Sequence, residues 1–241
     1  MVNILKFIYF LYVCCIFLVC TIIFFPIIVC IGMINTKKSR IILFGIIRIW
    51  IRIWLFSIGM PVTKIGNSPS DRCVMISNHA SYMDTLVLFP STENYFRILG
   101  NKEMSSIPLL SIPYKQIAIL VDRGNQLSRT KSYKLMLSIL RHGASIFIFP
   151  EGKFNTSKEV LKDFYDGAFR LAISTKTPIH PVILPDTINR WHYSSIWKWS
   201  PGKNRVIFLE PINVEGYSIN DVNKLKTEVY NKMEFELKKY K

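Results

Sequence analysis

Acidic residues are scarce in this chain: 16 Asp and Glu stand against 31 Lys and Arg, a net charge of +15 over 241 residues. Such a balance points to anionic partners, whether nucleic acid, phospholipid head groups or phosphorylated substrates. Cysteine is little used. Cys14, Cys15, Cys20 and Cys30 lie in one apolar run and Cys73 stands alone. With no CxxC pair, and no metal-ligand spacing among His79, His142, His180 and His192, neither a disulfide framework nor a structural zinc site is expected. No GxSxG elbow occurs, so nothing suggests a serine acyl-enzyme. The basic residues are scattered and no nucleic-acid-binding motif is present, which removes nucleic acid from the expected partners. Repeats and low-complexity linkers are also lacking. The length then suits one domain with an appendage, divided here as residues 1–60 and 61–241.

Charge is missing altogether from Phe7 to Ile34, a run of 28 residues. About 20 suffice to cross a hydrocarbon core. The run is too long for the apolar part of a cleaved signal peptide and has no small-x-small ending. Pro26 is expected to kink the helix or break it in two. Lys37, Lys38 and Arg40 follow, and the positive-inside tendency places them on the cytoplasmic side. Ile41–Gly59 is apolar too, but it carries Arg48 and Arg52 on one helical face and Trp50 and Trp54 on another. Two readings stand. One is an interfacial helix, with arginines on phosphates and tryptophans at head-group depth; the other is a helix packed on the protein's own core. A re-entrant pair and a true span followed by a surface helix are equally compatible with residues 1–60.

From Pro61 the pattern is α/β. Short β-rich runs recur at Cys73–Ser77, Ile117–Val121, Ser145–Phe149, Ile179–Leu184 and Arg205–Leu209. Helical patterns fall between them: Thr85–Phe89, a helix capped by Ser128 and ended by Gly143, and Asp166–Thr175. From Asp221 onward, Leu225, Val229, Met233 and Leu237 line one face. Strands alternating with helices predict a mixed, largely parallel sheet flanked by helices.

Three polar clusters follow three of these strands: Asn78-His79, Asp122-Arg123-Gly124 and Pro150-Glu151-Gly152-Lys153. Ligands of open α/β sheets bind beyond the carboxyl ends of strands. If the three strands are neighbours, one cleft collects a histidine, an arginine, a glutamate and a lysine. His79 and Asp84, at a strand-to-helix turn, suit proton transfer, the carboxylate holding one ring nitrogen while the other faces a hydroxyl. A satisfied structural pair is the plainer alternative.

In order and spacing, these blocks resemble the lysophospholipid acyltransferase superfamily, and within it the bacterial 1-acylglycerol-3-phosphate acyltransferases. Its NHxxxxD block is matched by Asn78-His79 through Asp84, its aspartate–arginine block by QIAILVDR, and its FPEGTRS block by Phe149-Pro150-Glu151-Gly152-Lys153-Phe154-Asn155. Its VPIVPV block is matched by Thr177 to Val182, and a Lys–Glu–Leu-like element by Gly100 to Met104. One departure stands out: the threonine and arginine after FPEG are Lys153 and Phe154 here.

The resemblance implies transfer of an acyl group from acyl-CoA or acyl-carrier protein to the sn-2 hydroxyl of lysophosphatidate, giving phosphatidate for phospholipid synthesis. It implies His79 as base and Asp84 as its orienter. Arg123, with Lys102 or Lys153, would hold the acceptor phosphate, and Glu151 and Gly152 would bind the glycerol portion or brace the site. No metal or further cofactor is implied. Membrane phospholipids become the expected surroundings, with the catalytic domain on the cytoplasmic face of the cell membrane. Other acceptors (an ornithine-linked lipid, glycerol 3-phosphate, another lysophospholipid) and a non-catalytic lipid binder on the same fold are the alternatives.

Overall fold

The computed structural model describes residues 2–240. Helix α1 (Val2–Gly32) contains the uncharged run and continues unbroken through Pro26. It is long and apolar enough to cross a membrane, and little of it is buried inside the protein. A turn at Met33–Asn35 reverses the chain. Helix α2 (Lys37–Ser57) then starts at Thr36, whose side chain accepts the Ser39 N–H in a capping box. The two helices lie side by side: the Tyr9 and Tyr12 hydroxyls donate to the carbonyls of Ile58 and Ser57 at 2.6 and 2.7 Å. At the other end, the Gln116 side-chain amide donates to the Gly32 carbonyl at 2.8 Å.

The rest alternates as the sequence predicts: β1 (Val62–Ile65), β2 (Val74–Ser77), α3 (Met83–Ser91), β3 (Phe96–Asn101), α4 (Pro108–Ile117), β4 (Ala118–Val121), α5 (Gln126–Arg141), β5 (Ser145–Ile148), α6 (Gly167–Thr175), β6 (Ile179–Ile183), α7 (Thr187–Arg190), β7 (Asn204–Phe208) and α8 (Val222–Lys238). They form one sheet of order β1-β7-β6-β2-β5-β3-β4. Every neighbouring pair is parallel except β6 with β7.

Successive strand residues point to opposite faces, and each face has its own core. Met75, Phe96, Phe147, Val182 and Phe208 meet α1, α2 and α3 on one side. Val74, Ile76, Ile146, Ile148, Ile179 and Ile183 meet α5, α6 and α8 on the other. Leu225, Val229, Met233 and Leu237 all turn inward, as their spacing predicts. Because both faces are covered, the central strands read as continuous apolar runs rather than alternating ones.

Two local expectations change, and one open pair of readings narrows. Strands β1 and β3 join the five foreseen. The cap of α5 is Asn125, whose side chain accepts the Ser128 N–H; the Ser128 hydroxyl instead accepts the Asp122 N–H at 2.9 Å. In α2 the tryptophans serve the core rather than a head-group layer: Trp54 is buried and both Trp50 and Trp54 pack on Phe17 of α1. The α2 residues Leu43, Phe44, Ile47, Ile51 and Leu55 share the first core with the sheet, so packing continues across residue 60.

Candidate active site

The carboxyl ends of β2 and β5 lie side by side and carry the first and third polar clusters. Asn78 ends β2 and ties it to β6: its amide donates to the Leu184 carbonyl at 3.0 Å and its oxygen accepts the Leu184 N–H at 2.8 Å. The chain then turns into α3. Ser81 is buried there and fully engaged, its hydroxyl donating to the Trp191 carbonyl and accepting the Met83 N–H. A hydroxyl held at both ends closes a turn and is poorly placed to act as a nucleophile.

His79 and Asp84 are brought together as expected. The ring Nδ1 lies 2.9 Å from Asp84 Oδ2, and the Asp84 side chain is wholly buried. The same oxygen accepts the Ala80 and Ser81 N–H groups at 2.7 and 2.8 Å. Three donors converging on one oxygen fix the carboxylate. An acceptor-only carboxylate at Nδ1 places the proton there and leaves the lone pair on Nε2. The imidazole stacks on Phe149, with centroids 3.8 Å apart and planes 11° from parallel, and the Phe154 ring meets its edge at 4.4 Å. Tyr82 packs in turn on Phe154 and Trp191.

Glu151 is buried and braces this turn. One carboxylate oxygen accepts the His79 main-chain N–H at 2.7 Å and the other accepts the Lys162 N–H at 3.0 Å. The His79 carbonyl in turn accepts the Asn155 N–H at 2.6 Å. The third block thus grips the backbone of the first. Burial pushes the Glu151 carboxyl up to about 7, against the lowering pull of the two amides, and the Asp84 charge adds to the rise. Gly152 has φ of +71°, which favours glycine, and a Cβ there would come within 2.6 Å of the exposed Tyr165 ring, which would have to move aside.

The cations are more spread out than a three-neighbour cleft would have them. β4 is not next to β5; β3 separates them. Arg123 therefore lies three strands from β2, roughly 14 Å at about 4.8 Å per strand. Lys102 follows the intervening β3, opening a short 3-10 helix at Lys102–Ser106. Lys102, Arg123 and Lys153 are all exposed. Tyr165, which lies against Gly152, is also close enough to Arg123 to affect its charge. Desolvation lowers the Arg123 pKa while Tyr114 and Tyr165 oppose that. A row of positive charge thus runs from the β5 end to the sheet's edge strand. The stacking of Phe149 and the edge contact of Phe154 were missed in the sequence; their position beside PEG was the available signal.

A histidine whose Nδ1 is held by a buried carboxylate at a strand-to-helix turn, at the same sheet end as three exposed cations, has the chemistry to activate a hydroxyl for direct group transfer. The chain belongs to the Acyltransferase family, whose model matches residues 60–185. It is 32% identical over 168 residues to a 1-acyl-sn-glycerol-3-phosphate acyltransferase of Haemophilus influenzae, a match covering 68% of this chain and 67% of that protein. It is 32% identical over 141 residues to the protein of that name from Borreliella burgdorferi, covering 58% of this chain and 56% of that one. The crystal structure of the 1-acyl-sn-glycerophosphate acyltransferase from Thermotoga maritima superposes with a TM-score of 0.76 at 20% identity, over 98% of this chain and 95% of that one. That likeness gives the fold, N-terminal helices included.

Proposed function

We propose that the protein transfers a fatty acyl group from acyl-CoA or acyl-carrier protein to the sn-2 hydroxyl of 1-acylglycerol 3-phosphate, giving phosphatidate. The observation that carries this reading is the His79–Asp84 pair, at the same carboxyl end of the sheet as three exposed cations. Nε2 takes the hydroxyl proton as the oxygen attacks the thioester carbonyl. The C–O bond forms, the C–S bond breaks, and the imidazolium returns its proton to the departing thiolate. Asp84 stabilises the transient imidazolium and keeps the ring in the required tautomer. General-base catalysis of this kind is worth about 10²–10⁴ in rate. Arg123, with Lys102 or Lys153, holds the acceptor phosphate through charge-assisted hydrogen bonds. Glu151 acts by fixing the His79 backbone, since both of its oxygens are occupied by amides.

The acceptor is a lipid, and the exposed apolar length of α1 fits attachment to a membrane, with the basic start of α2 toward the cytoplasmic face. A second reading, another lysophospholipid or acyl acceptor, is favoured by Phe154, an aromatic ring against His79 where the family pattern has arginine. An acceptor and donor screen on membranes bearing the wild-type protein or His79→Ala separates the readings. Phosphatidate formation that vanishes with His79→Ala supports the first. Activity only on acceptors lacking a phosphomonoester supports the second. Undiminished activity of His79→Ala rules out the mechanism.

A further inference from the structure

A groove of about 420 Å³ lies away from the catalytic pair, between the second half of α2, the start of β1 and the end of α3. Helix α3 separates the two places: Asp84 stands in its first turn and Glu93 just past its last, about 13 Å apart along the axis at ~1.5 Å per residue. Arg48, Arg52 and Lys64 line the groove, with Glu93 as its one carboxylate. The Arg48 guanidinium donates to the Glu93 carbonyl at 3.0 Å and that of Arg52 to the Pro90 carbonyl at 2.8 Å. Lys64 pairs with the Glu93 carboxylate at 3.0 Å.

These contacts account for only part of the donor capacity. A guanidinium has five N–H donors and an ammonium three, so each of these side chains keeps donors to spare. Arg48 Nε is buried with no partner at all, and an unsatisfied buried donor is costly. Three cations against one carboxylate leave an excess of positive charge in a confined space, where guanidinium groups suit phosphate oxygens. Beside the groove, Ile49, Ile53 and Phe56 form an exposed apolar stripe along α2, with Phe56 73% exposed. A polar anion site bordered by an apolar strip has the layout of a phospholipid: phosphate in the groove, acyl chains along the helix.

We infer that the Arg48–Arg52–Lys64 groove is a second, non-catalytic site that binds a phosphate group, its natural source being the head group of an anionic membrane phospholipid. Purified full-length protein is tested for binding to phosphatidylcholine vesicles with and without phosphatidylglycerol. Arg52→Gln/Lys64→Gln is compared with Lys37→Gln/Lys38→Gln, which removes the same charge from the first turn of α2. Lys64→Gln alone serves as a milder variant, because Lys64 bonds only an exposed glutamate. Because α1 can hold every variant on phosphatidylcholine, the quantity read is the gain in binding that phosphatidylglycerol adds: the groove pair should lower it by about tenfold or more, Lys64→Gln by less, and the control pair little.

Inorganic phosphate separates the two sources. If it leaves the phosphatidylglycerol-dependent gain in binding unchanged, the ligand is the lipid. If it abolishes that gain, and raises the melting temperature of the wild type but not of the groove pair, the groove takes free phosphate. Equal losses in the groove and control pairs, reporting only a diffuse basic field, would overturn the inference. So would a groove pair that binds like wild type.

Discussion

Glu151 Oε1 accepts the main-chain N–H of His79 at 2.7 Å, so a carboxylate from the third block holds the histidine of the first by its backbone. Its other oxygen does the same for Lys162. Glu151→Ala leaves two amides without acceptors in a buried loop, at roughly 1–3 kcal/mol each. The expected outcome is a lower melting temperature and a kcat loss larger than any change in KM, because the imidazole shifts while the cations stay. Steady-state kinetics alongside thermal melts check it; a pure KM effect would instead make Glu151 a substrate ligand.

The same carboxyl gives a pH signature. Burial raises its folded pKa to about 7, above its ordinary value of 4.5. Between those two values the folded state holds more protons than the unfolded state, so the stability contributed by this group declines as pH rises through that window. The stability advantage of wild type over Glu151→Gln should therefore shrink from about pH 4.5 to about pH 7. Denaturant melts at several pH values read this directly. An advantage that grows with pH contradicts it.

Asp84→Asn keeps the size of the side chain but removes the charge that fixes Nδ1–H and stabilises the imidazolium. We expect kcat to fall by about 10²–10⁴ with little change in acceptor KM. His79→Ala should abolish transfer while leaving membrane association intact, as measured by vesicle flotation.

Lys153 and Phe154 offer a test of acceptor choice. Lys153→Ala and Arg123→Ala should each raise KM for a phosphate-bearing acceptor by about 10-fold or more, the scale of a lost charge-assisted hydrogen bond. Phe154→Arg should lower that KM while reducing kcat, since the new charge gains a phosphate partner but removes the ring at the edge of His79. Kinetics on lysophosphatidate and on an acceptor without a phosphomonoester would show whether the preference moves as stated.

Gly152→Ala should destabilise the protein by about 1–3 kcal/mol, because it combines a left-handed φ with a close approach to Tyr165. Gly152→Ala with Tyr165→Ala should recover the steric part but not the conformational part. Thermal melts of the single and double variants separate the two.

The strands buried on both faces were legible because β2, β5 and β6 are short apolar runs with polar ends. β3 escaped because Arg97 interrupts it; that arginine is buried and donates to the Ala118 carbonyl at 2.7 Å, a contact no local pattern announces. β1 escaped because three of its four residues are exposed at a sheet edge, where alternation carries no signal. The site divides the same way. His79 and Asp84 are five residues apart, and their pairing can be read from one segment. Glu151 and Phe149 reach His79 from about 70 positions away, and the placing of Arg123 depends on β3 entering between β5 and β4. Strand order is a global property that no single run of residues encodes.

Helix α1 is fastened near both ends, by Tyr9 to Ile58 and by Gln116 to Gly32. An anchor held at one end lets its enzyme swing through a hemisphere of solvent and meet the bilayer only now and then. Held at two, with α1 in the bilayer as proposed, it would give the enzyme a fixed tilt and height, so the His79 cleft would keep one depth relative to the lipid surface. The search for the proposed lipid acceptor would then be two-dimensional, at the high local concentration of a surface rather than the low one of bulk water.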